Sequence, residues 1–502
     1  MKSFSIPKEV IDVTEKLEKA GFEAFVVGGC VRDLILGREP RDWDVTTNAT
    51  PDEIIALFTK TFYENTFGTV GVVVGDEAGD PETVVEGDRE LPKSLKIIEV
   101  TPYRLEGDYS DNRHPDSVSF SQKIEDDLKR RDFTVNSLAY SISKKEVIDL
   151  YEGQKNLKDK IIRTVEDPVK RFTEDGLRML RAIRFSAELG FEIEPLTEKA
   201  ISDNSDLLKN ISLERIRDEF SKMIMSPNPM KALLSLRKLG LLSYVIPELE
   251  KTVGVEQGGA HSYDVWEHLL RSVQGAADKN YPLELRLSAL FHDISKPESR
   301  RKGMGNKEWS FYGHEVIGAR VTKKILENLK YSNKVIEKVV KMIRWHMFFS
   351  DTEQITLSAV RRMIVNVGQE NIWDLMNLRI CDRIGTGRPK EDPYRLRKYH
   401  SMIEEALRDP VSVGMLKIDG KKIMEVTEIQ PGPKIGFTLH ALLEEVLDDP
   451  RKNTPEYLEN KAKELVNLPE NELKALGESG KQTKEEVDEE EIKKIRSSHW
   501  VK

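Results

Sequence analysis

The hydrophobic pattern of this chain changes period once, near Tyr151, and that change limits the folds open to it. Before it, short β-rich runs such as FEAFVVGG (22–29), TVGVVVG (69–75) and SLKIIEVTPYR (94–104) are interleaved with short helical stretches. After it, strand signals nearly vanish and apolar residues recur at three and four, as in EDGLRMLRAIRFSAELG and RDEFSKMIMS. A mixed α+β head followed by an all-α remainder is the expectation.

Within the head, Ile6 to Ala20 reads as a helix, with Pro7 near its start and Gly21 as its stop. CVRDLILG (30–37) reads as a short helix and RDWDVTT (41–47) as a strand. Thr50 is the expected N-cap of a helix opening at Pro51. Residues 76–93 are acidic, contain Pro and Gly and lack periodicity, so they read as a surface insertion. The chain of 502 residues is long enough for three or four domains. No apolar run approaches the roughly 18 residues of a membrane span, which excludes an integral membrane protein. The first residues carry acids and show no cleavage-site pattern, so no signal peptide is expected. Cys30 and Cys381 are the two cysteines, too few for a disulfide framework or a cysteine zinc site, and a reducing cytoplasm fits. With a net charge of −9, any nucleic-acid binding must come from local basic surface.

Chemistry enters at the first strand. A strand running into Gly28-Gly29 and straight into a helix presents backbone N–H groups to a phosphate, and Arg32 adds a forked donor. Ten residues after Arg32 come Asp42 and Asp44. At i and i+2 on a strand both carboxylates face one way, and like charges side by side call for cations. Oxygen-only ligands suit Mg2+, and two such ions can activate a hydroxyl and stabilise a leaving phosphate oxygen. Glu99 is either a third carboxylate or an ordinary strand acid.

GGCVRDLILGREPRDWDVTT resembles the first signature of the class II tRNA nucleotidyltransferases and bacterial poly(A) polymerases, within the DNA polymerase β-like superfamily. The resemblance continues collinearly through DNRHPDSVSF (111–120), RRDFTVNSLAY (130–140), IDLYEGQKNLKDKIIRTV (148–165), EDGLRMLRAIRF (174–185) and LERIRDEF (213–220). It implies that Gly29 and Arg32 hold a triphosphate and that Asp42 and Asp44 bind the catalytic metals. Arg131, with Asp132 beside it, would meet the nucleotide near its ribose. Asp175 and Arg178 would read the base, with Arg181 and Arg184 further along the same helix. Gly176 departs from the family, which usually shows Pro there, and this touches only local helix stiffness.

The residues themselves make the same sense. Asp175 and Arg178, three apart on a helix, offer an acceptor and a forked donor on one face. Cytosine and adenine both present an exocyclic amine beside an unprotonated ring nitrogen; uracil and guanine present the opposite polarity. Such a mismatch costs about 1–3 kcal/mol per buried group. The bland reading of the arginines is a solvated face paired with Glu174 and Asp175.

Nine histidines are present, and four of them with two aspartates form an ordered set: His268, His292-Asp293, His314, His346 and Asp382. The set resembles the HD superfamily of metal-dependent phosphohydrolases and implies a divalent metal there, with a second metal conceivable. Taken singly, each histidine reads as a buried core residue. A 2′,3′-cyclic or terminal phosphate on RNA is the coherent substrate beside a domain that needs a free 3′-hydroxyl. The Pro-Gly-Pro turn at 431–433, with Lys434, is either an RNA phosphate contact or a packing corner.

The organisation expected is a nucleotidyltransferase head at 1–150, a base-reading helical neck at 151–225, a helical region at 226–385 holding the HD domain from about 255, an RNA-binding tail at 386–468, and a charged, mobile C-terminus at 469–502. The function expected is addition of C, C and A to tRNA from CTP and ATP. Partners are tRNA and the two nucleotides, with no membrane and no obligate protein partner. Open rivals are a poly(A) polymerase, an enzyme adding only CC or only A, and chiefly a phosphohydrolase. The 108–113 stretch, resembling the flexible loop of enzymes that switch from C to A, favours full CCA addition.

Overall fold

The computed structural model describes residues 4–63, 68–74, 83–86, 89–92, 96–107, 118–258, 262–303, 308–348, 355–387, 391, 393–409 and 412–476. The chain forms two compact units, Met1–Pro247 and Glu248–Lys502. None of the described helices is long and apolar enough to cross a membrane.

The first unit is built on a seven-stranded mixed sheet. Its strands are β1 (Ala24–Val27), β2 (Asp44–Thr47), β3 (Thr61–Tyr63), β4 (Val70–Val74), β5 (Lys96–Pro102), β6 (Leu138–Ser141) and β7 (Glu146–Asp149), in the order β7-β6-β1-β2-β5-β4-β3. Only β2 and β5 pair in parallel within this sheet, with Asp44 opposite Glu99 and Val45 opposite Val100. β1 is buried at all four positions, which is why it is a plain apolar run with no alternation. Helix α1 (Lys8–Lys19) packs on it through Val10, Val13 and Leu17. Helix α2 (Gly29–Ile35) follows β1 directly, and α3 (Pro51–Leu57) opens with a capping box in which Thr50 and Glu53 satisfy each other's backbone N–H groups. Phe25, Val27 and Ala139 join Tyr103, Ile124 and Leu128, so α4 (Ile124–Lys129) is anchored to the sheet.

Three expectations change. β2 begins at Asp44, and Asp42 lies in the bend before it, exposed. The cause is the partner strand: β1 turns into α2 at Gly28, so nothing on that side pairs residues 42 and 43. The 76–93 insertion contains a hairpin, Thr83–Glu86 against Arg89–Pro92. The C-terminal packed region also runs past 469. Residues 470–476 are helical, and Leu473 is fully buried among Leu442, Val446 and Leu458. The 108–113 loop and the charged tail from 477 lie outside the described residues.

Past the sheet, α5 (Pro168–Glu174), α6 (Leu177–Leu189) and α7 (Leu213–Met225) complete the site of the first unit. α6 is buried along most of its length and packs on α7 and on the helix Pro229–Lys238. The expected division at 225/226 therefore falls inside one unit, because Leu233 and Leu236 are core residues of it.

The second unit is helical apart from the short pair Arg301–Lys302 and Trp309–Ser310, among the described residues. Helices α8 (Val265–Asp278), α9 (Leu283–Phe291), α10 (His314–Asn328), α11 (Asn333–Trp345) and α12 (Ile372–Gly385) form one cluster. α8 and α12 approach closely at Gly385, where a Cβ would stand 2.7 Å from the His268 carbonyl oxygen. That contact brings Asp382, one turn earlier, up to His268. The core then continues through Leu396, Tyr399 and Ile403, while residues 416–473 bury a separate core of their own.

Candidate functional site

In the first unit, the turn between β1 and α2 depends on Gly28, whose φ of 81° disfavours other residues. A Cβ there would lie 2.9 Å from Arg131 Nη1 and 3.8 Å from Asp44 Oδ2, so the bare backbone lets these two side chains approach the turn. Asp44 sits at the start of β2 facing Arg131. Burial raises its carboxyl pKa, Arg131 opposes the rise, and the charge of Asp42 adds to it. Asp42 and Asp44 are thus electrostatic neighbours although strand alternation does not align them. A half-buried carboxylate with an acidic neighbour and Glu99 in register is a donor set that a hard divalent cation would satisfy.

From the turn, polar contacts run without a break to α6. Arg32 donates from Nη1 to the side-chain Oδ1 of Asn136 at 2.8 Å while its other nitrogens engage Asp33. Asn136 donates to Asp132 at 3.2 Å, and Asp132 accepts from Arg181 at 2.7 Å. Burial would raise the Asp132 carboxyl, but Arg181, Arg178 and Asn136 more than offset it and hold the pKa at about 2. Arg131 itself is braced by Asp127, which also takes Arg130. Arg184, the most buried of the α6 arginines, pairs with Glu219 of α7 at 3.0 Å.

Asp175 and Arg178 are arranged differently from the expectation of one continuous helix. α5 ends at Glu174, Asp175 is extended (φ −147°, ψ 105°), and α6 starts at Leu177. Asp175 accepts the Leu177 N–H at 3.1 Å, the capping behaviour of a short acidic side chain at a helix start. It is also gripped by both terminal nitrogens of Arg215, at 3.2 and 2.7 Å. Arg178 donates to Glu174 at 2.7 Å and to the Arg130 carbonyl at 3.2 Å. Of the expected pairings with Glu174 and Asp175, Arg178 meets Glu174, but across the break between α5 and α6; Arg184 lies 3.7 Å from Glu188 on its own helix besides reaching Glu219, and Arg181 reaches Asp132. Asn136, Arg215 and Glu219 were missed as members of this site, and Glu174 was named only as a pairing partner of the arginines. RRDFTVNSLAY and LERIRDEF contain three of them, yet nothing in either stretch says which residue each would meet.

The second unit gathers all six residues of the His/Asp set. His268 and Asp382 come from α8 and α12, His292 and Asp293 follow α9, His314 opens α10, and His346 follows α11. They form two groups, His268–His292–Asp382 and Asp293–His314–His346, with ligand atoms within 4.8 Å of one another in each. Asp293 joins the two. Its Oδ2 is 3.2 Å from His268 Nε2, and its Oδ1 is 3.1 Å from His314 Nε2. His292, His314 and His346 each turn Nδ1 to a backbone carbonyl, at 3.0, 2.6 and 2.7 Å. A carbonyl only accepts, so in the neutral ring Nδ1 holds the hydrogen and Nε2 keeps its lone pair toward the centre. Burial would raise Asp293 and Asp382, but Lys296 and His292 at the former, and Arg379 and His292 at the latter, hold both carboxyls well below their ordinary range. Six buried His and Asp side chains converging with their ligand atoms within 4.8 Å in each group fit divalent metal binding better than core packing.

Three family models match the chain: "Poly A polymerase head domain" over residues 24–163, "Probable RNA and SrmB- binding site of polymerase A" over 190–252, and "HD domain" over 259–374. The chain is 32% identical over 461 residues to the CCA-adding enzyme of Lactobacillus helveticus, covering 91% of this chain and 97% of that protein. It is also 32% identical to a CC-adding tRNA nucleotidyltransferase of Thermus thermophilus, over 84% of this chain and 89% of that one. Among solved structures, the CCA-adding enzyme of Bacillus stearothermophilus in complex with CTP superposes with a TM-score of 0.67 at 28% identity, covering 91% of this chain and 96% of that chain.

Proposed function

The chain belongs to the CCA-adding enzyme family of tRNA nucleotidyltransferases, and from that premise we propose residue roles for the addition of C, C and A to the 3′ end of tRNA. Asp42 and Asp44 hold the divalent metal of this chemistry, Mg2+ by their oxygen-only donors. When bound, that ion supplies Lewis acidity at the attacking hydroxyl and the leaving pyrophosphate. Gly29 and Arg32 receive the triphosphate, and Arg131 stands by the ribose. Asp175 accepts from the exocyclic amine of cytosine or adenine while Arg178 donates to the adjoining ring nitrogen; Arg181 and Arg184 keep the reading edge charged and aligned. Asp175 Oδ1 already takes N–H groups from Leu177 and Arg215, while Oδ2 takes one from Arg215 and retains a lone pair for the base. CTP, ATP and tRNA are then the ligands, and the cytoplasm is the place of action.

The observation that carries this reading is the unbroken polar chain Arg32–Asn136–Asp132–Arg181, which ties the metal-side turn to the reading helix inside one compact unit. The decisive experiment supplies tRNA lacking its last three nucleotides with each NTP singly and with the mixture, then sequences the 3′ ends. Ends finishing in CCA are expected. Runs of A point to a poly(A) polymerase, and ends stopping at CC point to the narrower activity for which the Thermus thermophilus relative is named.

The two metal-ligand groups support a second activity in the other unit, hydrolysis of a phosphoester, with a 2′,3′-cyclic phosphate as the favoured class. Replacing His292 and Asp293 by Ala should remove bound divalent metal, measured by elemental analysis, and hydrolysis of a 2′,3′-cyclic nucleotide with it. Nucleotide addition to tRNA should persist. Undiminished hydrolysis would remove this unit from catalysis.

A further inference from the structure

The stretch LERIRDEF contacts neither metal nor nucleotide in the proposed roles, yet its Arg215 and Glu219 bond Asp175 and Arg184 along the base-reading edge. Asp175 is the least constrained of the reading residues by its backbone. It is a single extended residue between two helices, so helix packing does not set the direction of its carboxylate. One local hydrogen bond, from Leu177 N to Oδ1, leaves rotation of the group open. The second oxygen is secured only from α7, where Arg215 places Nη1 on Oδ1 and Nη2 on Oδ2. Two parallel bonds to a planar carboxylate fix its plane as well as its position.

That fixing matters because strong competitors stand nearby. The Asp175 charge acts on Arg181, and Arg178 is three residues away. A carboxylate released by Arg215 would gain by turning toward either guanidinium, which would misplace the acceptor and occupy a donor meant for the base. The hold on α6 has a second point. Glu219, one turn after Arg215 on α7, takes Arg184 at 3.0 Å and lies 3.8 Å from Arg181. A cation and an anion one turn apart on α7 thus meet an anion and cations along the reading edge.

Resting on the assignment of Asp175 as a base reader, we infer that Arg215 is a specificity-positioning residue: it orients the Asp175 carboxylate so that the enzyme selects cytosine and adenine over uracil and guanine. Arg215 touches neither the triphosphate side nor the metal side, so its loss should change selection more than capacity for transfer.

The test measures kcat/KM for CTP and for UTP on tRNA lacking its CCA end, using the full-length protein. Arg215→Ala should lower the CTP-over-UTP ratio about ten- to a hundredfold, the cost of misplacing a reacting-geometry contact by an ångström or so. The fall should come from CTP, with UTP nearly unchanged. Arg215→Lys keeps the charge without the fork and should restore the ratio in part. Arg215→Gln carries the test should the alanine variant fail to fold. An equal loss toward both nucleotides, leaving the ratio intact, would mark a purely structural contact and overturn the proposal. Asp175→Ala runs in parallel. If it abolishes the ratio while Arg215→Ala and Arg215→Gln keep it, the positioning role falls and the base-reading role stands. If Asp175→Ala itself keeps the ratio, the assignment of Asp175 falls and the proposal with it.

Discussion

Asp44→Asn is expected to lower nucleotide incorporation about a thousandfold or more while leaving tRNA affinity nearly unchanged, because metal-assisted charge stabilisation is worth several kcal/mol in the transition state. Asn keeps the size and hydrogen-bonding capacity of the side chain, so β2 and its register with β5 should survive. What it removes is one of two adjacent charges. Asp42, exposed in the preceding bend, is then left as a single carboxylate against water. The same substitution should raise the melting temperature of the metal-free protein at neutral pH. The sign follows from Asp44's raised pKa: an acid whose folded-state pKa exceeds its unfolded value costs stability once pH rises above that unfolded value. Single-turnover incorporation, a gel-shift titration with tRNA and a thermal melt in chelator check the three parts. Wild-type rates from Asp44→Asn would remove this carboxylate from the chemistry.

Glu219→Ala should destabilise the first unit by about 3–5 kcal/mol, the usual cost of stranding one member of a buried ion pair. Both partners are well covered, with side-chain exposures of 8% for Arg184 and 5% for Glu219, so water cannot take over the lost contact cheaply. The double replacement Arg184→Met with Glu219→Leu removes both charges at similar volume and should return most of the loss. Urea unfolding of the two variants separates these cases. A single-variant loss below about 1 kcal/mol would mean that the pair behaves as a surface ion pair does. Asp44 differs in its surroundings: burial and the charge of Asp42 raise its carboxyl pKa against Arg131, whereas Glu219 has Arg184 at 3.0 Å.

Much of the head was legible before any coordinates. The strand–Gly-Gly–helix run at 24–35 forms as its residue types require, since an all-apolar β1 must be covered on both faces and Gly28 alone supplies the turn. Thr50 and Glu53 cap α3 by a local rule that needs no tertiary partner. The order of the His/Asp set was readable too, because each ligand lies in or beside an amphipathic helix whose period is visible. Local rules failed at Asp42 and Asp175. Asp42 looked like strand because RDWDVTT alternates, yet a strand extends only as far as its neighbours pair, and β1 leaves the sheet at Gly28. Asp175 looked like mid-helix because the apolar period runs through it, yet it caps the following helix and is claimed by an arginine forty residues away.

The sequence by itself determined which chemistry-bearing residues stand near one another along the chain: Gly28-Gly29 and Arg32 followed by Asp42 and Asp44, the arginines at 178, 181 and 184, and the ordered His/Asp set. These follow from side-chain type and order along the chain, which are properties of neighbouring residues. Only the tertiary structure decided the partners: Asn136 between Arg32 and Asp132, Arg215 on Asp175, Glu219 on Arg184, and Asp293 with one oxygen toward each histidine group. The physical reason is that an ion pair or a bidentate grip forms between whichever charges packing brings within about 3 Å, and packing is set by every buried residue at once rather than by a stretch of sequence.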